Sequence, residues 1–174
     1  EEVLVNMVRS HGIEDLAFLF LLNAICVAIP GLSNGIFCVL NGILYGPAWG
    51  FIVNWISDIL GQIILMELLQ KLYDMKKMSN SKVYKLLTGL KSPMLGLIIG
   101  YMIPFIPSAT VSYVNIMINK GQRKKQLIPI IIGVIPFAYL YAYGGDSILH
   151  LDGPRLIKVV ISFVVIALIA VAIL

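Results

Sequence analysis

Apolar residues run along this chain in long blocks, and helix breakers cut the blocks short. Leu16 to Ile29 is apolar except for Asn23 but is only about 14 residues long. A helix that crosses a bilayer needs roughly 20, so this block extends backward past Asp15 or lies tilted. Ile36 to Tyr45, interrupted by Asn41 and Gly42, is too short to cross and has the length of a re-entrant segment. Phe51 to Leu69 is a full span that carries Asn54, Asp58, Gln62 and Glu67. A basic stretch at 71–92 follows, with Lys71, Lys76, Lys77, Lys82, Lys85 and Lys91. Within it Ser81 can cap a short helix, whose Val83, Leu86, Leu87 and Leu90 form one apolar stripe. That pattern predicts an amphipathic helix lying in the headgroup region. Pro104 and Pro107 cut the apolar block Pro93 to Asn119 in two, which predicts a re-entrant hairpin over 93–119. Leu127 to Tyr143 reads as a span kinked by Pro129 and Pro136. Gly144 to Pro154 reads as a short polar loop, and Leu156 to Leu174 as the last span.

The breakers concentrate in Ile29-Pro30-Gly31-Leu32-Ser33-Asn34-Gly35, in Leu44-Tyr45-Gly46-Pro47-Ala48-Trp49-Gly50 and in Ile103-Pro104-Phe105-Ile106-Pro107-Ser108. In lipid every backbone N–H and C=O needs a partner, so broken helices persist only where protein or a watery cavity covers them. Interruptions in corresponding positions of two halves point to a transport site. The expected fold is therefore an all-α polytopic membrane protein with two opposed re-entrant helical hairpins, at 30–47 and 93–119, packed among transmembrane helices.

Composition strengthens the membrane reading. Hydrophobic residues make up 59% of the 174 residues and charged residues 13%, against about 25% charged in soluble domains. The mean hydropathy is +0.93. This length suits one domain, 1–174. The net charge of +4 is clustered in lysine groups between apolar segments, which argues against a nucleic-acid partner. By the positive-inside rule the 71–91 lysines and the cluster Lys120, Arg123, Lys124 and Lys125 face the cytoplasm. The second hairpin then enters from the cytoplasm and the first from outside. Asp146, His150 and Asp152 lie outside, with Tyr45, Trp49, Tyr141 and Tyr143 at the outer interface. Cys26 and Cys38, in apolar surroundings, read as buried thiols. The acidic, polar first residues do not read as a signal peptide, and the start at Glu1 leaves room for a preceding segment.

Asn41-Gly42-Ile43-Leu44-Tyr45-Gly46-Pro47-Ala48-Trp49-Gly50, followed by Gly61, resembles the first motif of the DedA superfamily, in its VTT-domain branch of SNARE-associated Golgi proteins. Ile103-Pro104-Phe105-Ile106-Pro107-Ser108, Ser112-Tyr113, Pro136 and Gly144-Gly145-Asp146 resemble the second. The resemblance spans about Pro30 to Asp146. It implies two opposed hairpins, lipid partners, and movement of lipids across a membrane: scrambling in eukaryotes, and carriage of undecaprenyl phosphate or phospholipids in bacteria, in some members with the proton gradient. Tyr101 and Gln70 stand where many relatives have arginines. Gln62 stands where an acid is common, with Asp58 one turn earlier, and Leu32-Ser33 replaces an acid after the first Pro-Gly.

Several constellations carry a functional and a structural reading side by side. Asn54, Asp58 and Gln62, at i, i+4 and i+8, share one face near the middle of a span; they line a cavity or form an interhelical hydrogen-bond ladder. Glu67 couples protons, as Asp58 does in the functional reading, or snorkels beside Lys71. Ser108, Ser112 and Asn115 line a site or satisfy backbone groups freed by the prolines. A hairpin tip also exposes helix N-termini, which attract an anion such as a lipid phosphate. Gly42, Gly46 and Gly50, and Gly96 and Gly100, read as close-packing positions. Gly31-Leu32-Ser33-Asn34-Gly35 matches the Gly-x-Ser-x-Gly of serine hydrolases without the strand-turn-helix that motif needs. No metal cluster or cofactor fingerprint is present, and no enzyme activity is expected.

The expected function is a membrane lipid transporter or scramblase, in a bacterial plasma membrane. Its path would comprise Pro30, Ser33, Asn34, Asn41, Asn54, Asp58, Gln62, Pro104, Pro107, Ser108, Ser112 and Asn115. The alternatives are a small-solute or ion transporter, proton-coupled through Asp58 or Glu67, then a membrane scaffold or an interfacial hydrolase. The two hairpin tips are expected to meet at a polar pocket containing Asp58. The orientation is testable in intact cells. In a protein lacking Cys26 and Cys38, His150→Cys should react with an impermeant maleimide, and Lys76→Cys and Lys124→Cys should not. Labelling at position 124 from outside would reverse the topology.

Overall fold

The computed structural model describes residues 12–72, 82–89, 92–103 and 106–173. All regular structure among them is helical: α1 (Ile13–Ala28), α2 (Gly35–Leu72), α3 (Lys82–Thr88), α4 (Pro93–Met102), α5 (Ser108–Ile118), α6 (Arg123–Gly133), α7 (Ile135–Leu149) and α8 (Gly153–Ile173). Three helical stretches are long and apolar enough to cross a membrane: α2, α6 with α7, and α8. Ser81, Lys76, Lys77, Lys91 and Leu90 lie outside the described residues.

The helix α2 is two arms that fold back on each other. Gly46, with φ 78° and ψ 177°, is non-helical. Only glycine adopts that region readily, and Pro47 disfavours a helical residue before it. Asn41 Nδ2 donates to Asn54 Oδ1 at 2.8 Å, and Asn54 Nδ2 donates to the Cys38 carbonyl at 3.0 Å. In a straight helix residues 41 and 54 would be about 20 Å apart. A Cβ on Gly50 would sit 2.8 Å from the Asn41 carbonyl oxygen. Gly42 and Gly50 thus serve close packing as expected, whereas Gly46 makes the reversal.

Helix α1 runs beside the second arm in the same direction. Asn23 reaches Ser57 and Asp58, and Gly61 packs on Ala24 and Val27. The chain then turns at residues 29–34, partway along that arm, and returns as residues 35–45. The observed helical hairpin therefore has α1 as its first arm, and the 30–47 expected for it begins at its tip.

Ser92 accepts from the Leu95 N–H, and Pro93 opens α4. Helices α4 and α5 form the second hairpin. Ser112 Oγ donates to Gln62 Oε1 at 2.8 Å, so the Tyr101 hydroxyl is the donor to Ser112, also at 2.8 Å. The main apolar core lies here, around Leu65, Met66, Leu69, Leu87, Leu97, Val111, Val114 and Ile130. Leu87 is fully buried on Gly96 of α4 while Leu86 is exposed, so α3 spends part of its expected headgroup stripe on the protein itself.

Residues Gly144 to Leu149, expected as loop, are helix. Gly145 packs on the Val39 carbonyl and Gly42 on that of Ala142. Those contacts hold α7 against the first arm of α2, so the glycines extend packing there instead of ending a helix. The connection to α8 is only His150, Leu151 and Asp152, and Asp152 accepts from the Arg155 N–H at 2.9 Å as a cap. On the second arm of α2, Ile52, Ile56, Leu60, Ile64 and Leu68 form an exposed apolar stripe, and most of α8 is exposed and apolar. Such surface suits lipid and not water.

Gly46→Ala forces an alanine into a glycine-only conformation and should cost about 1–3 kcal/mol. Gly42→Ala drives a Cβ into the Ala142 carbonyl and should also lower the melting temperature in detergent. Gly153→Ala, which meets nothing within 4 Å, should leave it unchanged. Equal melting of all three variants would refute the packing described here.

Candidate functional site at the meeting of two helical hairpins

The turn at 29–34 and the end of the second hairpin border one cavity of about 340 Å³. Pro30, Ser33 and Asn34 contribute from the first hairpin, and Ile103, Ile106, Pro107 and Ser108 from the second. Asp58 and Gln62 of α2 form the floor between them, and Tyr101, Phe137 and Tyr141 supply aromatic wall. The volume lies within the usual range for small-ligand pockets, about 300–1,000 Å³.

Asp58 is 5% exposed. Its Oδ1 accepts from Asn34 Nδ2 at 2.8 Å and from Asn23 Nδ2 at 3.1 Å. The second proton of each amide is also placed: Asn23 donates to Ser57 Oγ, and Asn34 to Cys38 Sγ at 3.3 Å. Cys38 in turn donates to Asn23 Oδ1 at 3.2 Å. A buried carboxylate costs several kcal/mol unless hydrogen-bonded or paired, and this ring of amides and thiol supplies the bonds. It also ties α1, the 29–34 turn and both arms of α2 to one point.

Of the residues expected on the path, Pro30, Ser33, Asn34, Asp58, Gln62, Pro107 and Ser108 line the cavity. Pro104 lies outside the described residues. The remaining four are fully buried and used elsewhere. Asn41 and Asn54 join the arms of α2. Ser112 links Tyr101 to Gln62. Asn115 donates to the Gln126 carbonyl at 2.9 Å and accepts from Asn119 at 2.9 Å. Gln126 Nε2 closes that loop by donating to the Asn119 carbonyl at 3.1 Å. Glu67 pairs with Arg123 at the lysine-bearing end.

The expectation did not include Asn23, Cys38, Ser57, Tyr101, Phe137 or Tyr141. Asn23 had a signal, as the one polar residue in an apolar block; Phe137 and Tyr141 had none. Asp146, expected in an outer loop, is a buried residue of α7 that pairs with Arg155 of α8 at 2.7 Å, with the Arg155 guanidinium 5.9 Å from the Tyr143 ring centroid. Ser33 lies on a turn between helices, and no strand occurs among the described residues, so the nucleophile-elbow geometry is not formed.

These features define a polytopic α-helical membrane protein in which two helical hairpins converge on a polar cavity. The VTT-domain profile matches residues 29–147, and the chain belongs to that family, whose domain is that of the DedA and SNARE-associated Golgi proteins. Comparison with curated proteins and with solved structures finds no match.

Removing one amide donor should leave the carboxylate short of a bond, at a cost of roughly 1–3 kcal/mol. Asn23→Ala should therefore destabilise the wild-type protein more than it destabilises an Asp58→Asn background, measured by unfolding in mixed micelles. Strict additivity in that double-mutant cycle would show that Asn23 and Asp58 do not act together.

Proposed function

We propose that this protein moves the polar headgroup of a membrane lipid across the bilayer while the acyl tails stay in lipid. The supporting observation is the convergence of both hairpins and Asp58 on one cavity partway along the long arm of α2. In this reading α1 with residues 35–45, and α4 with α5, are re-entrant hairpins that enter from opposite faces. The end with Lys71, Lys82, Lys120 and Arg123 faces the cytoplasm of a bacterial cell, and the membrane is its plasma membrane.

Several physical points favour this reading. Breaks in helices at membrane depth need cover, and the two tips with the cavity between them provide it. A cavity of about 340 Å³ holds a headgroup but not a whole lipid. The exposed apolar stripes on α2 and α8 suit contact with tails. No bond need be made or broken, so the protein acts without enzymatic chemistry. The same volume would hold a small solute or an ion whole, which keeps transport of such a cargo as the second reading.

Purified protein in liposomes carrying a tail-labelled fluorescent lipid should let an impermeant reductant bleach well beyond the outer leaflet's half of the signal. Bleaching that stops at half, as in protein-free liposomes, would remove lipid translocation. Uptake of a soluble cargo into the same liposomes would then support the second reading.

A further inference from the structure

We infer that the cavity binds an ammonium group, primary or quaternary, with the Asp58 carboxylate as counter-ion and aromatic rings as its wall.

The charge of the site points there first. Among the described residues that line the cavity, Asp58 is the one carboxylic acid, and no lysine, arginine or histidine lines it. The described ion pairs lie elsewhere, at Glu67–Arg123 and around Asp146. An anionic phosphate entering this cavity would meet a carboxylate in a poorly screened interior without a cation to offset it. A cation entering there meets the opposite sign.

The donors agree. Some of the N–H groups a phosphate would use are already taken: at the start of α5 those of Thr110 and Val111 are bonded to the Pro107 carbonyl, and the Gly35 N–H points to Ser33 Oγ. On Asp58 the amides of Asn23 and Asn34 both occupy Oδ1, and Oδ2 accepts no hydrogen bond among the described residues. That oxygen is free to accept from an ammonium N–H or to face a methylated nitrogen.

The walls agree as well. Phe137 and Tyr141 stack with centroids 6.2 Å apart at 22°, and Tyr101 lines the cavity with them. Aromatic faces attract cations through the ring quadrupole, and cages of such rings are a recurring solution for quaternary ammonium groups. A carboxylate with aromatic walls is a pairing for ammonium, whether an ethanolamine or choline headgroup or a soluble amine brings it. The headgroup source rests on the lipid reading above; the ammonium site does not.

Two measurements separate these points. In liposomes, tail-labelled phosphatidylethanolamine and phosphatidylcholine should cross about tenfold faster than tail-labelled phosphatidylglycerol. Asp58→Asn should erase that preference and Asp58→Glu should keep it. Phe137→Leu should weaken it in a protein that still elutes and melts as wild type. Phosphatidylglycerol moving as fast as phosphatidylethanolamine through the wild type would overturn the headgroup assignment and leave translocation standing. In micelles, calorimetry should show saturable binding of tetramethylammonium or ethanolamine that Asp58→Asn abolishes and Asp58→Glu retains. Such binding without any lipid movement would assign the site to a soluble amine. No binding, or equal displacement by sodium, would overturn the ammonium site itself.

Discussion

One carboxylate organises the centre of this protein. Asp58 is almost wholly buried, and a charge or dipole left in such a place without partners costs several kcal/mol. Its partners come from segments far apart in sequence: Asn23 from α1 and Asn34 from the turn that follows. The same two amides engage Ser57 and Cys38, so neither has a spare donor. The bonds place the end of α1 and the 29–34 turn at the level of Asp58. They thereby decide where the first hairpin stops. A cavity forms because the turn ends there and the second hairpin ends opposite it.

The second hairpin reaches that level by a parallel device. Tyr101 donates to Ser112, and Ser112 to Gln62, one turn beyond Asp58 on α2. Asn115, Asn119 and Gln126 then tie α5 to α6 through carbonyl and amide bonds. In hydrocarbon such bonds have no competition from water, and the alternative is an unsatisfied group. Close helix approach is supplied by glycines that meet a neighbour's carbonyl, at Gly42, Gly96 and Gly145. Polar side chains thus fix depth, and glycines fix distance.

The two ends of the molecule differ in charge. Lys71, Lys82, Lys120, Arg123, Lys124 and Lys125 gather at one end, and all are exposed. The other end carries the Asp146–Arg155 pair, its carboxylate buried and its guanidinium partly exposed, which fastens α8 to α7. The membrane-facing surfaces between them are aliphatic. Charge is therefore kept out of the lipid-facing band, and the buried acids among the described residues are Asp146, paired with Arg155, and Asp58, where the cavity lies.

Much of this was legible in the residues alone. The apolar blocks, the lysine clusters, the prolines and Gly46-Pro47 determined a helical membrane protein with breaks at defined places, because length, charge and helix-breaking are local properties. The face shared by Asn54, Asp58 and Gln62 was likewise visible as a helical spacing. Only the tertiary structure decided that these three have different work. Asn54 closes the fold of α2, Gln62 receives the second hairpin at the cavity floor, and Asp58 beside it is held by two amides. It also decided that α1 is an arm of the first hairpin, that Gly144 to Leu149 stays helical, and that Phe137 and Tyr141 become walls. Spacing reports which face of one segment is polar. Which partner that face meets depends on how distant segments cross, and no local pattern encodes that.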